Sequence, residues 1–201
     1  MHPNPAYRHG DSAALDALAD RIGLGAIFLL TPDGPRVAHA PVLVGGGTLR
    51  FHLARGNALT RHLNGAQALA CLTGPHAYVS ARWYADAEQV STWNYVALEY
   101  EGAVRRMDEA ELLRQLTDLT ERHEGRVRSG GIPWTMDKLS DKTRAQLLRG
   151  IVGFELAIEQ RRETIKLAQH KRADERDRLI AGLEAEGASA IAALMRGGLP
   201  A

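Results

Sequence analysis

Two short stretches hold most of the side chains able to do chemistry. Thr73–Tyr84 reads TGPHAYVSARWY, and Ser91–Gly102 reads STWNYVALEYEG. Aromatic residues make up only 5% of the chain, so this local enrichment asks for a cause. Trp83, Tyr84, Trp93 and Tyr95 offer stacking faces. Ser80 and Asn94 offer the few directional hydrogen bonds that a pocket for a flat ligand needs. A second set lies upstream. His52, Arg55 and Asn57 fall where a strand is expected to meet a helix start, whose free amides and partial positive charge suit phosphate. Arg61, about one turn on from Asn57, reaches the same side of that helix. Together these residues suit a flat aromatic ligand carrying an anion. On the residues alone, rings that simply plug the ends of a barrel remain an equal reading.

Other chemistries lack their signatures. His39, His52, His62 and His76 show no H-E-x-x-H or C-x-x-C spacing, so they read as hydrogen-bonding histidines and no metal is expected. There is no G-x-S-x-G elbow, and Ser80 falls in a strand pattern rather than on a strand-to-helix turn. The common nucleotide cradles, G-x-G-x-x-G and the P-loop, are missing. No residue declares itself an indispensable acid or base, and catalytic residues stay unassigned. His39 and His76 are the nearby groups able to move protons near neutral pH. Cys71, the single cysteine, sits in the apolar run ALACLT and reads as a core thiol.

Lys plus Arg is 25 against 24 for Asp plus Glu. That balance predicts no strong, non-specific attraction to nucleic acid or anionic lipid. No basic recognition helix is visible, so direct DNA binding is not expected. MHPNPAYRHGD has no apolar signal core, and no apolar run approaches the roughly 20 residues that span a bilayer. A cytoplasmic protein with no membrane partner is expected.

The elements that must position these residues follow from periodicity. Asp11 caps a helix with Leu15, Leu18 and Ile22 on one face. GAIFLLT, RVAHAPVLV, TLRFHLA, AQALACLT, HAYVSA and NYVALEYEGAVRRM then read as short strands. Pro41 marks an edge or bulge, Gly74-Pro75 a turn, and GNALTRHLN a short helix beginning at Asn57. Asp108 and Glu111 form a capping box for a helix striped by Leu112, Leu113, Leu116 and Leu119. RVRSGGIPW reads as a loop. Ser140 and Gly150 bound a further helix. IVGFELAI is a late strand that must pair with the earlier ones. ADERDRLIAGL and ASAIAALM close the chain as helices. The expected fold is mainly β with α, an antiparallel barrel over about 25–107 closed by 151–158, with peripheral and C-terminal helices.

The same motifs resemble a known family, the PaiB-type FMN-binding proteins, described as negative transcriptional regulators. GPHAYVSARWY and STWNYVALEYEG carry the resemblance. FHLARGN, LLRGIVGFELAIE and IKLAQHKRADERDRLIAGL extend it over nearly the whole chain. The resemblance implies an FMN-binding split β-barrel, with residues 1–160 as the flavin domain and 161–201 as a helical segment completing it. It also implies a homodimer with FMN in clefts between subunits. His39, His52, Asn57, Arg61, Ser80, Trp83, Trp93, Asn94, Lys166 and Gln169 are the implied cofactor contacts. The phosphate falls near His52, Asn57 and Arg61, and Lys166 and Gln169 close the site. This chain departs from the family at His39-Ala40-Pro41, where His-Leu-Pro is usual. It departs again at Asn57-Ala58-Leu59-Thr60, where the family has Asn-Pro-Gln-Trp, and at Lys171, where Arg is usual. Three functions stay open: a flavin-binding regulator or sensor, a flavin-dependent oxidoreductase on a small substrate, and a dimer that binds another small ligand or is structural.

Overall fold

The computed structural model describes residues 2–199. Its elements are α1 Ser12–Ile22, β1 Leu24–Thr31, β2 Gly34–Gly45, β3 Thr48–Ala54, β4 Gln67–Val79, β5 Thr92–Arg106, α2 Glu109–Glu124, α3 Asp141–Arg149, β6 Ile151–Ala157, β7 Gln160–Lys166, α4 Ala173–Ala185 and α5 Ser189–Gly197. The strands hydrogen-bond in the order β4-β1-β2-β3-β6-β5-β7, and β4 pairs with β5 as well. The late strand therefore does find its place, as β6 between β3 and β5. Residues 2–22, 71–99 and 161–199 form one unit; 23–70 and 100–160 form another. β4 and β5 each contribute residues to both.

In the second unit, alternation decides which residues go inside. β3 buries Leu49, Phe51 and Leu53 while Thr48, Arg50 and His52 take the other face. Phe51 and Phe154 are register partners, and their rings stack with centroids 5.5 Å apart. β2 pairs with β1 as far as Pro41, opposite Leu24, and with β3 from Val42 onward. Pro41 has no N–H to donate, so it suits the point where the strand changes partner. Gly102 on β5 is required by a close approach: a Cβ there would overlap the carbonyl oxygen of Ala157. The capping box of α2 forms as expected, with Glu111 N donating to Asp108 Oδ1 at 2.8 Å and Asp108 N to Glu111 Oε2 at 2.9 Å. Its apolar stripe is narrower than expected: Leu112 and Gln115 are its buried residues.

In the first unit, Asp11 caps α1 by accepting from Ala13 N and Ala14 N. Leu15, Leu18, Leu72, Val79, Val96, Leu98, Leu179, Leu183 and Ile191 build its core. One sequence expectation fails here, and one strand goes unannounced. Gly74-Pro75 makes no turn, and β4 runs unbroken through it. Gly74 serves packing instead, since a Cβ there would stand 3.1 Å from Val96 Cβ and 3.2 Å from Ile22 Cδ1. The run QRRETIK, which has no apolar alternation, is strand β7. Its charges are matched one by one. Arg161 pairs with Asp16 at 3.2 Å and Arg162 with Glu99 at 2.9 Å. Glu163 accepts from the backbone of His9 at 3.0 Å. The two C-terminal helices appear as expected, as α4 and α5.

Candidate functional site

The candidate residues fall into two sets, one in each unit. In the second unit, the expected helix at Asn57 is replaced by successive turns. Thr60 N donates to Asn57 O, and both His62 N and Leu63 N donate to Leu59 O. The cause is local. Asn57 Oδ1 accepts from Leu59 N at 3.0 Å, and Thr60 Oγ1 donates back to Ala54 O at 2.9 Å. Such side-chain bonds offer the backbone an alternative to helix. No helix terminus is therefore available to an anion at this point.

Positive charge remains. Arg61 is exposed, and its Nη2 donates to Asp33 Oδ2 at 3.0 Å while its Nε donates to His62 Nε2 at 2.8 Å. Arg55 is turned toward carbonyls, donating from Nε to Arg149 O at 2.7 Å and from Nη2 to Ile151 O at 3.3 Å. His52 stands on β3 with its Nδ1 buried and unpartnered. Burial pushes its pKa below the usual 6.5, so the ring is neutral at neutral pH. His39 lies on the outward side of the β1–β2 pair, opposite Ala26. Its neighbours on that side are apolar and exposed: Leu24 at 53%, Phe28 at 43%, Leu30 at 79% and Val37 at 46%.

The first unit holds the rings. β4 presents His76 and Tyr78, two residues apart and so on one face, and β5 presents Trp93 opposite them. The His76 and Trp93 rings stack with centroids 6.0 Å apart, and Trp93 Nε1 donates to His76 Nδ1 at 3.4 Å. Tyr78 meets Trp93 edge-on at 6.1 Å. Trp93 is 47% exposed and Tyr78 50%. Beside Trp93, Lys166 Nζ donates to Thr92 Oγ1 at 2.6 Å, and burial lowers its pKa.

Ser80 and Trp83 line a cavity of about 390 Å³ with Leu183 and with Tyr78 of the ring cluster. Ser80 Oγ caps the turn Ala81–Trp83 by accepting from Arg82 N. Trp83 lies against α4 at Gly182, where a Cβ would run into the indole. Asn94 is wholly buried. Its Nδ2 donates to Met195 Sδ at 3.4 Å, and its Oδ1 is unpartnered. The Gln169 amide is spent on backbone: Oε1 accepts from Leu167 N at 2.8 Å, and Nε2 donates to Ile165 O at 2.7 Å and Ala6 O at 2.8 Å. These bonds bracket Ala168, whose φ of 54° is left-handed.

The structure thus joins Trp93 with His76, Tyr78 and the Thr92–Lys166 pair, and joins Ser80 with Trp83. Asn94 and Gln169 are engaged elsewhere. Sequence reasoning named His76 only as a proton carrier and gave Tyr78 no role, although their period-two spacing in HAYV places them on one face. Among the described residues, no three His, Cys, Asp or Glu side chains cluster as a metal site, and no helix is long and apolar enough to cross a membrane.

A family described as "Putative FMN-binding domain" matches residues 1–160. "Protease synthase and sporulation protein PAI 2" of Bacillus subtilis (strain 168) is 37% identical over 121 residues. That match spans 60% of this chain and 56% of that protein, little more than half its length. Among solved structures, the FAD and heme binding protein from Mycobacterium smegmatis aligns with a TM-score of 0.63 at 23% identity, covering 84% of this chain and 78% of that one. The flavocytochrome Anf3 from Azotobacter vinelandii aligns with a TM-score of 0.61 at 14% identity, covering 88% and 78%. At these identities the two structures speak to the fold alone. With the family match over four-fifths of its length, the chain belongs to the FMN-binding domain family and is a split-barrel protein of the PaiB type.

Proposed function

We propose that this chain is an FMN-binding homodimer that acts as a ligand- or redox-responsive regulator. The carrying observation is the exposed His76–Trp93–Tyr78 ring cluster beside Lys166. Rings that merely plugged a barrel would be buried, whereas these leave two large aromatic faces about half open. A flat conjugated ligand is the natural occupant of such faces. Lys166 offers an ammonium donor at the cluster's edge. In the second unit, Arg61 is an exposed cation suited to a phosphate, with His62 beside it. The ring cluster by itself suits the flat ring system of a flavin better than it suits a metal. When bound, the flavin supplies electron-transfer chemistry that no protein side chain here can provide. The protein's own work is to orient the ring and to shield it from water.

The dimer is supported by the outward side of β1–β2. Leu24, Phe28, Leu30 and Val37 form an exposed apolar row that extends to Pro35 and Pro41. A second copy of the chain would remove it from water. Direct DNA reading finds no support in α4, where acidic and basic residues alternate.

The test is a visible spectrum with titration of FMN, FAD and riboflavin, beside sedimentation of the apoprotein. A dimer that prefers FMN to riboflavin is expected. Arg61→Ala should erase that preference, costing about 1.5–3 kcal/mol of FMN binding while leaving riboflavin unchanged. A protein with no affinity for any flavin would overturn the reading. Flavin reduction by a nicotinamide donor at steady turnover would move it to the oxidoreductase class.

A further inference from the structure

Helix α2 buries a polar residue where its stripe calls for an apolar one. Gln115 is 0% exposed, and neither its Nε2 nor its Oε1 has a hydrogen-bond partner. His52 Nδ1 is likewise buried and unpartnered. Buried polar side chains almost always find partners, because leaving one unpaired costs about 1–3 kcal/mol. Two such groups in one unit call for a common explanation.

Their positions supply it. α2 packs across β6, β3 and β2. At its start, Leu112 sits over Gly153, where a Cβ would stand 3.0 Å from Leu112 Cδ1. Gly153 is the register partner of His52. Six residues later, Asp118 Oδ2 meets Arg50 Nη2 at 2.9 Å. Arg50 and His52 are two apart on β3 and share a face. Gln115 lies three residues from Leu112 and three from Asp118, on the same side of the helix. It therefore falls over the stretch of β3 between Arg50 and His52.

We infer that Gln115 is the hydrogen-bond partner of His52 Nδ1, directly after a small turn of the amide or through one bridging water, and that it is a positioning residue holding the imidazole in a single tautomer. A carboxamide suits this task because it can donate or accept. Fixing Nδ1 decides whether Nε2, the other ring nitrogen, donates or accepts. A neutral imidazole without such a partner exchanges between tautomers. Leu at position 115 would satisfy the helix stripe and forfeit this control.

The consequence for ligand binding rests on the flavin reading; the tautomer does not. The test is nitrogen NMR of apoprotein labelled in its imidazole rings. His52 should show one tautomer, with one nitrogen protonated and one not. Gln115→Leu should give averaged, mixed-tautomer shifts, while Gln115→Glu, which keeps an acceptor, should hold Nδ1 protonated. A mixed His52 in the unaltered protein overturns the inference outright, whether or not the variants fold. So does a fixed tautomer that survives Gln115→Leu. FMN affinity is then read separately. Several-fold weaker binding in Gln115→Leu, matched by His52→Leu and not added to in the double variant, supports the positioning role. An unlocked tautomer with unchanged FMN affinity overturns that role alone. If no flavin binds the unaltered protein, the flavin reading fails and the tautomer result still stands.

Discussion

The two units differ in how their candidate polar side chains are used, with Asn94 Oδ1 of the first unit an exception to the contrast. In the first, nearly every candidate side chain is already engaged. Trp93 holds His76, Lys166 holds Thr92, Gln169 holds three backbone groups, and Trp83 rests on Gly182. In the second, the candidates stand on a rigid frame with capacity to spare. His52 and Gln115 have buried polar atoms without partners, and Arg61, though bonded to Asp33 and His62, stays exposed. The difference separates two ways of preparing a site. On the proposed flavin reading, one prearranges the shape that the ligand's ring meets. The other keeps hydrogen-bonding and charge available for the ligand or for a neighbour.

The comparison breaks first if the frame of the second unit can be deformed. Gly102→Ala puts a methyl into the Ala157 carbonyl. Neither partner is a flexible side chain, so the cost should be about 3 kcal/mol or more, or failure to fold, read as the urea midpoint. A midpoint close to that of the unaltered protein would mean that the frame yields easily. Next in size is Gln169→Ala. Loss of three backbone contacts around a left-handed Ala168 should cost about 2 kcal/mol of stability. Any change in FMN affinity should follow only from loosening of the Lys166 segment, so a large binding loss at unchanged stability would make Gln169 a direct contact after all.

A smaller effect separates the two tryptophans. Trp93→Ala should weaken flavin binding by about 1 kcal/mol while barely moving stability, because half of the ring is already in water. Trp83→Ala should do the reverse, since its ring is packed on α4. Equal behaviour of the two would erase the distinction between ligand-facing and structural rings.

The smallest effect lies in the acid limb of stability. Burial lowers the His52 pKa below 6.5, so the unfolded chain takes up its proton first. Stability should fall as pH drops below about 6.5 and level off once the folded ring protonates. His170 shifts in the same direction, through burial and the charges of Lys171 and Lys166, but it is far more exposed. His52→Leu should therefore flatten the slope between pH 6.5 and 5 more than His170→Leu does, as measured by urea midpoints at several pH values. The opposite order would put the strained histidine in the first unit.

What was legible in the sequence was whatever its local pattern states outright. Alternation gave β3 and β5 their faces, and Asp11, Asp108 and Ser140 announced their helices. The enrichment of rings in TGPHAYVSARWY and STWNY marked the stretch where His76, Tyr78 and Trp93 meet. Errors arose where a distant partner overrides a local signal. Gly74-Pro75 looks like a turn until Val96 and Ile22 are seen pressing on it. QRRETIK announces no element by its own pattern, and as β7 its arginines are neutralised by Asp16 and Glu99. The Asn57 error was local: an Asx bond and a short apolar pattern compete over the same residues, and the side-chain bond wins. Gln115 could not have been flagged from the sequence, because a glutamine on a helix is ordinary until its burial is known.

The pairing of β3 with β6 has a consequence for biosynthesis. As the chain leaves the ribosome, β1, β2 and β3 can fold onto one another at once, each beside its sequence neighbour. The far edge of β3, with Phe51 beside it, must then wait until β4, β5, α2 and α3 have all been made before Ile151–Ala157 arrives to cover it. For that interval the nascent protein carries an open, apolar strand edge, the surface on which partly made chains stick to one another. Yield in a cell should therefore depend on how fast translation crosses residues 55–150, and slow codons there should send more of the protein into aggregates than the same codons placed after Ala157.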